Sequence, residues 1–221
     1  MKRKEIIIVI LIVLLIISGA TIIILGNELR NSKNKTNVEN NNVEKDISSG
    51  AIKFKYEYEN LNDKKTSSGE TYKKLDINID NPIKYVTLNQ LVNIVENDEA
   101  YVYISSPSCP FCRATVEILL QVAKELKIDT IYYYDAFKDN DEENYNELMS
   151  KLKDKEIVTI NDSGNKTWGI PILLKTSGGQ VVSKARGVSY QLNDGQSPHD
   201  SLTEDQKKQV YDRYYEALTV E

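Results

Sequence analysis

Apolar positions along the chain fall into blocks of different period. The first is residues 6–25, broken only by Ser18, Gly19 and Thr21, with Lys2, Arg3 and Lys4 before it and Asn27 and Glu28 after it. A helix of this length, rising about 1.5 Å per residue, reaches about 30 Å, the hydrocarbon depth of a bilayer. The basic residues before it orient the N-terminus to the cytoplasm and the rest of the chain to the outside. A cleaved signal peptide is the rival, because Ser18, Gly19 and Ala20 resemble a cleavage site. The apolar run continues through residues 22–25 past that site, so the expectation is an uncleaved single-pass anchor, residues 1–26. Residues 27–50 are nearly devoid of apolar side chains and are expected to form a flexible polar tether.

From residue 51 the pattern is that of a folded domain. Ile52, Phe54, Tyr56 and Tyr58 alternate with Lys and Glu, and Leu75, Ile77 and Ile79 alternate again, which predicts two strands able to pair as a hairpin. Asn81 and Pro82 break the pattern. Thr87 with Gln90 forms a capping-box signature, after which Leu88, Leu91, Val92 and Val95 give a helical face ended by Asn97 and Asp98. Residues 100–106 form an apolar, β-branched and aromatic run that reads as a strand. Val116, Leu119, Leu120, Ala123 and Leu126 recur at helical steps over residues 113–127. A strand over 128–134, a polar helix over 142–152 and an irregular stretch over 153–169 follow. Residues 171–175 and 180–186, joined by Ser177, Gly178 and Gly179, read as an antiparallel hairpin closed by Gly187. Ser201 with Glu204 predicts the cap of a last helix, whose apolar face is Val210, Tyr211, Tyr214, Ala217 and Leu218. This order predicts an α/β fold with a mixed central sheet flanked by helices.

Charge narrows the partners. With 28 basic and 33 acidic residues the formal net charge is -5, and no basic patch or stripe marks a nucleic-acid surface. The chain holds only two cysteines, Cys109 and Cys112, and one histidine, His199. Zinc takes at least three protein ligands even at catalytic sites, so no metal is expected.

The cysteines sit where the strand of residues 100–106 turns into the helix. Pro110 suits the first helical turn, and Cys109 faces the unpaired N–H groups and positive dipole end of that helix, which favour thiolate over thiol. A structural bridge is the bland alternative, but one closing so short a loop stabilises weakly. The pattern therefore points to thiol–disulfide chemistry, with Cys109 as nucleophile, Cys112 as resolving thiol and the Pro110–Phe111 dipeptide tuning the potential.

The strand, Cys109-Pro110-Phe111-Cys112 and helix, together with Gly169-Ile170-Pro171 before the hairpin, resemble the thioredoxin superfamily over roughly residues 72–219. The resemblance implies a thioredoxin-like fold and a cis Ile170–Pro171 bond beside the cysteine pair. It also implies substrate binding by Ile170 and Pro171, with the Ile170 backbone pairing with an extended peptide. No cofactor beyond the redox-active Cys109–Cys112 disulfide is implied. The partners would be thiols or disulfides of exported proteins or peptides, a redox partner that recycles the pair, and the membrane through the N-terminal helix. With its anchor and tether the chain also loosely resembles bacteriocin transport accessory proteins, which are exported and thioredoxin-like. A non-catalytic binding module with a static bridge is the alternative function.

The sequence departs from the thioredoxin pattern. Ser108 stands where thioredoxins carry Trp, and Tyr103 where they carry a buried Asp; no obvious carboxylate replaces it, Asp135 and Glu117 being the candidates to approach. Arg113 is read as a charge beside Cys109 or as solvated there. Trp168 is a candidate for the substrate groove or the core, and His199 reads as a surface residue. The tyrosines at 132–134 and 211–215 read as core and rim rather than as a site.

Overall fold

Among the described residues five strands form the main sheet, in the order β1-β3-β2-β6-β7: Ile83–Tyr85, Ile131–Asp135, Ala100–Ser105, Ile172–Ser177 and Gln180–Arg186. β3 pairs in parallel with β1 and β2, β6 runs antiparallel to β2, and β7 antiparallel to β6. A two-stranded ribbon joins β4 (Thr159–Ile160) to β5 (Lys166–Thr167). The helices are α1 (Ser49–Glu59), α2 (Leu88–Asn97), α3 (Pro110–Glu125), α4 (Tyr145–Asp154) and α5 (Glu204–Thr219). The computed structural model describes residues 48–138, 144–160, 166–187 and 190–220. The expected anchor at 1–26 and the tether up to residue 47 lie outside the described residues, as does the acidic run at 139–143. No described helix is long and apolar enough to cross a membrane.

The central strands are apolar almost without interruption because both faces of the sheet are covered. Tyr103 of β2, Tyr133 of β3 and Leu173 of β6 point to one core with α1, α3 and α5. Their neighbours Val102, Ile104, Tyr134, Ile172 and Leu174 point to the other, with α2 and α4. The period-2 alternation of the strand thus sorts consecutive side chains into two cores. On α3, Val116, Leu119 and Ala123 are buried and Leu120 and Leu126 pack at the edge, as their spacing predicts. The β6–β7 turn passes through Gly178 and Gly179 at positive φ; a Cβ at Gly179 would stand 2.8 Å from the Glu96 carbonyl oxygen.

The first segment differs from expectation. Residues 49–59 form helix α1, not a strand. Ala51, Phe54 and Tyr58, spaced at helical steps, are the buried positions, whereas Ile52 and Tyr56 are 48% and 67% exposed. Three local features favour the helix: Ser48 caps it by accepting from the Ala51 N–H, and Lys53–Glu57 and Lys55–Glu59 are pairs four apart. No hairpin forms with residues 75–79. Leu75 and Ile77 are buried as the alternation implies, whereas Ile79 is 40% exposed, and the backbone is held by side chains rather than by a strand. Asn62 pairs with both the N–H and the carbonyl of Leu75, Glu59 accepts from the Ile77 N–H, and Lys55 donates to the Ile77 carbonyl. The segment is therefore a cover over the α1–α3–α5 face, not part of the sheet.

The caps divide the same way. Thr87 and Gln90 form the expected capping box of α2. The last helix is capped two residues later than expected, by Thr203 with Gln206 in place of Ser201 with Glu204. The short β4–β5 ribbon lies within the stretch read as irregular.

Candidate active site

The site is built at one end of β2. Ser105 ends the strand and lies in register with Asp135 at the end of β3. On the other side Ile104 faces Ile172, which puts Pro171 at the same end of the sheet, next to the chain leaving β2. The peptide bond between Ile170 and Pro171 is cis, and the Pro171 carbonyl accepts from the Gly187 N–H at 2.7 Å. Gly169, at φ 58°, precedes it, and Arg186 Nη2 donates to the carbonyls of Ile157 and Trp168 at 2.6 and 2.8 Å, fixing the incoming loop. Pro171 is buried, and Ile170 packs at the rim of the α2–α4 core. The register thus brings the cysteine loop and the Ile170–Pro171 segment to neighbouring strand ends.

Cys109 is the N-cap of α3 and Pro110 its first residue. An N-cap side chain accepts from free backbone donors of the first turn. Here the acceptor is sulfur: the Cys112 N–H donates to Cys109 Sγ at 3.2 Å. Both thiols are free. Cys109 is 5% exposed and Cys112 fully buried. Their acidities separate accordingly. The Cys112 thiol donating to Cys109, together with the Cys112 and Phe111 N–H groups, holds Cys109 below the ordinary thiol range. Burial pushes Cys112 well above it, reinforced by its own hydrogen bond to Cys109 and by the Cys109 charge. Phe111 packs against the core, and its carbonyl accepts from Thr115 Oγ1 at 3.0 Å.

Tyr103 is fully enclosed on β2, and burial pushes its phenol well above the ordinary range. Of the two carboxylates, Asp135 is the one near Cys112: its charge opposes ionisation of that thiol, and its own pKa is raised by burial. Glu117 faces elsewhere, accepting from Lys73 Nζ at 3.1 Å and the Asp76 N–H at 3.0 Å.

Arg113 corrects the sequence reading. It is fully buried rather than solvated. Its guanidinium donates to the carbonyls of Tyr58 (2.7 Å), Pro107 (3.2 Å) and Lys73 (2.6 Å) and to Asn62 Oδ1 (2.9 Å), and stacks 5.4 Å from the Tyr72 ring. It fastens the cover and the cysteine loop to α3. Trp168 belongs to the core, 5.2 Å from the Tyr134 ring, rather than to a groove. His199 is mostly enclosed rather than on the surface: its side chain is 12% exposed, with Nε2 3.3 Å from Glu70 and its ring against Tyr72.

Sequence reasoning missed a set of hydroxyls behind the cysteines. Tyr58 Oη lies 2.6 Å from Ser105 Oγ, and Tyr214 Oη donates to Thr115 Oγ1 at 3.0 Å. Tyr190 buries its hydroxyl without a partner, and burial together with the Cys109 charge pushes its pKa up to about 12. Only Ser105, at the end of the strand that leads to Cys109, carried a local signal. Among the described residues no three His, Cys, Asp or Glu side chains group as a metal site.

No protein-family profile matches this sequence, and no curated protein matches it. Among solved structures the chain is similar to the crystal structure of thioredoxin from Aeropyrum pernix, with 20% identity and a TM-score of 0.34 over 47% of this chain and 74% of that chain.

Proposed function

We propose that the protein is a thiol–disulfide oxidoreductase of the thioredoxin type. It is held in the membrane by residues 6–25 and acts outside the cytoplasm on exported proteins or peptides. The observation that carries this reading is the asymmetry of the pair: Cys109 caps a helix with its sulfur accepting an N–H, while Cys112 is enclosed behind it. A bridge with a purely structural role needs no such division of acidity.

In the reductive direction the Cys109 thiolate attacks a substrate disulfide. One substrate sulfur leaves as thiolate, and a mixed disulfide forms at Cys109. Cys112 then loses its proton and attacks Cys109 Sγ. The Cys109–Cys112 bond forms, the second substrate sulfur leaves, and the substrate has gained two electrons that the pair has lost. The reverse sequence oxidises a substrate dithiol, and in either direction a second redox protein must restore the pair. Ile170, beside Pro171 at the neighbouring strand end, offers its backbone to an extended substrate. The resemblance to bacteriocin transport accessory proteins makes small exported peptides the first substrates to examine.

The test is trapping in cells. Cys112→Ala in the full-length chain should accumulate mixed disulfides through Cys109, released by dithiothreitol and absent from the Cys109→Ala, Cys112→Ala double variant. If the single variant carries no partner, the binding-module reading takes its place.

A further inference from the structure

Cys109 Sγ accepts the Cys112 N–H only while the short turn before α3 keeps its shape. Hydrogen bonds weaken steeply as donor and acceptor lose alignment, so whatever fixes that turn also fixes the cap. The turn is closed by the Cys109 N–H, which donates to the Ser106 carbonyl at 3.1 Å. Arg113 adds two holds. Its backbone N–H donates to the Cys109 carbonyl at 3.0 Å, as any helical residue there would, and its Nη1 donates to the Pro107 carbonyl at 3.2 Å. The same Nη1 reaches the Tyr58 carbonyl of α1, and Nη2 reaches Asn62 Oδ1 and the Lys73 carbonyl of the cover. One side chain thus ties the cysteine turn to a frame made of α1 and the cover. These acceptors are all neutral and Nε has no partner, so the fully buried charge is a costly way to fill space. A planar fork with fixed donor directions is suited instead to holding one loop against another.

We propose that Arg113 is a positioning residue for the thiol chemistry: its guanidinium, braced on α1 and the cover, sets the turn of residues 106–109 so that Cys109 Sγ faces the first N–H groups of α3. This rests on the oxidoreductase reading above. It makes residues 62–73, which lie outside the sheet, part of the support of the site. The groups that feel the Cys109 charge are Cys112, Tyr58, Tyr190 and Tyr214, all neutral at pH 7 because their pKa values are raised. The donors that favour the anion are the Cys112 thiol and the N–H groups of Cys112 and Phe111. All three belong to the first turn of α3, so Cys109 loses them when its own turn shifts.

The experiment is the pH dependence of iodoacetamide alkylation of the reduced full-length chain in detergent. Fragment mass spectrometry locates the modified cysteine, and near-ultraviolet circular dichroism follows folding. In Arg113→Met the midpoint for Cys109 should rise by about one pH unit, the size of one hydrogen bond to a charged group, and the rate at pH values below the midpoint should fall about tenfold. Arg113→Lys keeps the charge but cannot span turn and cover together, so its midpoint should also rise; it is the variant to read should Arg113→Met not fold. A wild-type midpoint in either folded variant would overturn the proposal. Leu91→Ala, in the core on the opposite face of the sheet, should leave the midpoint in place. An equal rise there would reduce the effect to lost stability and overturn the proposal as well. A wild-type chain whose Cys109 titrates as an ordinary thiol would remove the asymmetry under the oxidoreductase reading, and this proposal with it.

Discussion

The Cys112 N–H donates to Cys109 Sγ at 3.2 Å, so the sulfur of one cysteine is the cap of the helix that buries the other. One short segment therefore gives its two thiols opposite surroundings. At neutral pH and below the ordinary thiol range, Cys109 should alkylate with iodoacetamide while Cys112 stays protected until denaturant is added. Mass spectrometry of the alkylated peptide across a pH series checks this. Equal labelling of both residues would contradict it.

Alkaline pH should unfold the reduced chain. Tyr58, Tyr103, Tyr133 and Tyr214 have pKa values raised by burial, and Cys112 behaves likewise. For groups whose folded pKa lies above the unfolded one, the folded state holds the proton more tightly. Their contribution is complete below the unfolded pKa and is lost as pH climbs toward the folded one. Stability in urea should accordingly begin to decline at about pH 8.5, the unfolded thiol's pKa, and fall more steeply through about pH 10, the unfolded phenol's. Phenolate absorbance from the buried rings should appear together with unfolding rather than before it.

Arg113 is a fastener. Arg113→Met takes the guanidinium donors from the Lys73, Pro107 and Tyr58 carbonyls, of which Tyr58 keeps the Leu61 N–H. The expected cost is about 3 kcal/mol in a urea titration, in the range for removing one partner of a buried polar network. Amide exchange should accelerate over residues 59–77 before the rest of the domain. Arg113→Lys should rescue little, since an ammonium lacks the planar fork that reaches four acceptors.

Helix α1 gives a sharper test of packing. Phe54→Ala should cost about 3–4 kcal/mol, the usual loss for a buried phenylalanine. Ile52→Ala and Tyr56→Ala, both exposed, should stay within about 0.5 kcal/mol of wild type. A strand with all four alternating residues facing the core would make the three substitutions comparable.

Much of the site was legible because its signals are local. Pro110 after Cys109, the strand before and the helical spacing of Val116, Leu119 and Ala123 all fall within one stretch. The α1 region was misread because Ile52, Phe54, Tyr56 and Tyr58 satisfy a period of two while Ala51, Phe54 and Tyr58 satisfy helical steps. Burial settled the matter through Phe54 and Tyr58, whose rings pack beside Tyr133 and Ser105. Arg113 looked like a partner for Cys109 because it is near in sequence, but on a helix start its side chain reaches the cover instead. Apart from Ser105, the hydroxyl cluster had no local signature. Tyr58, Tyr103 and Tyr214 meet only because α1 and α5 cover the same face of β2.

The most direct measurement is the equilibrium between dithiol and disulfide at Cys109 and Cys112 in the full-length chain, across graded glutathione and dithiothreitol buffers. The account predicts reversible exchange with a midpoint between about −120 and −270 mV, the span of thiol–disulfide exchange proteins, with the dithiol form favoured to the extent that Cys109 is held as thiolate. A disulfide that persists below about −300 mV would mark a structural bridge and contradict it.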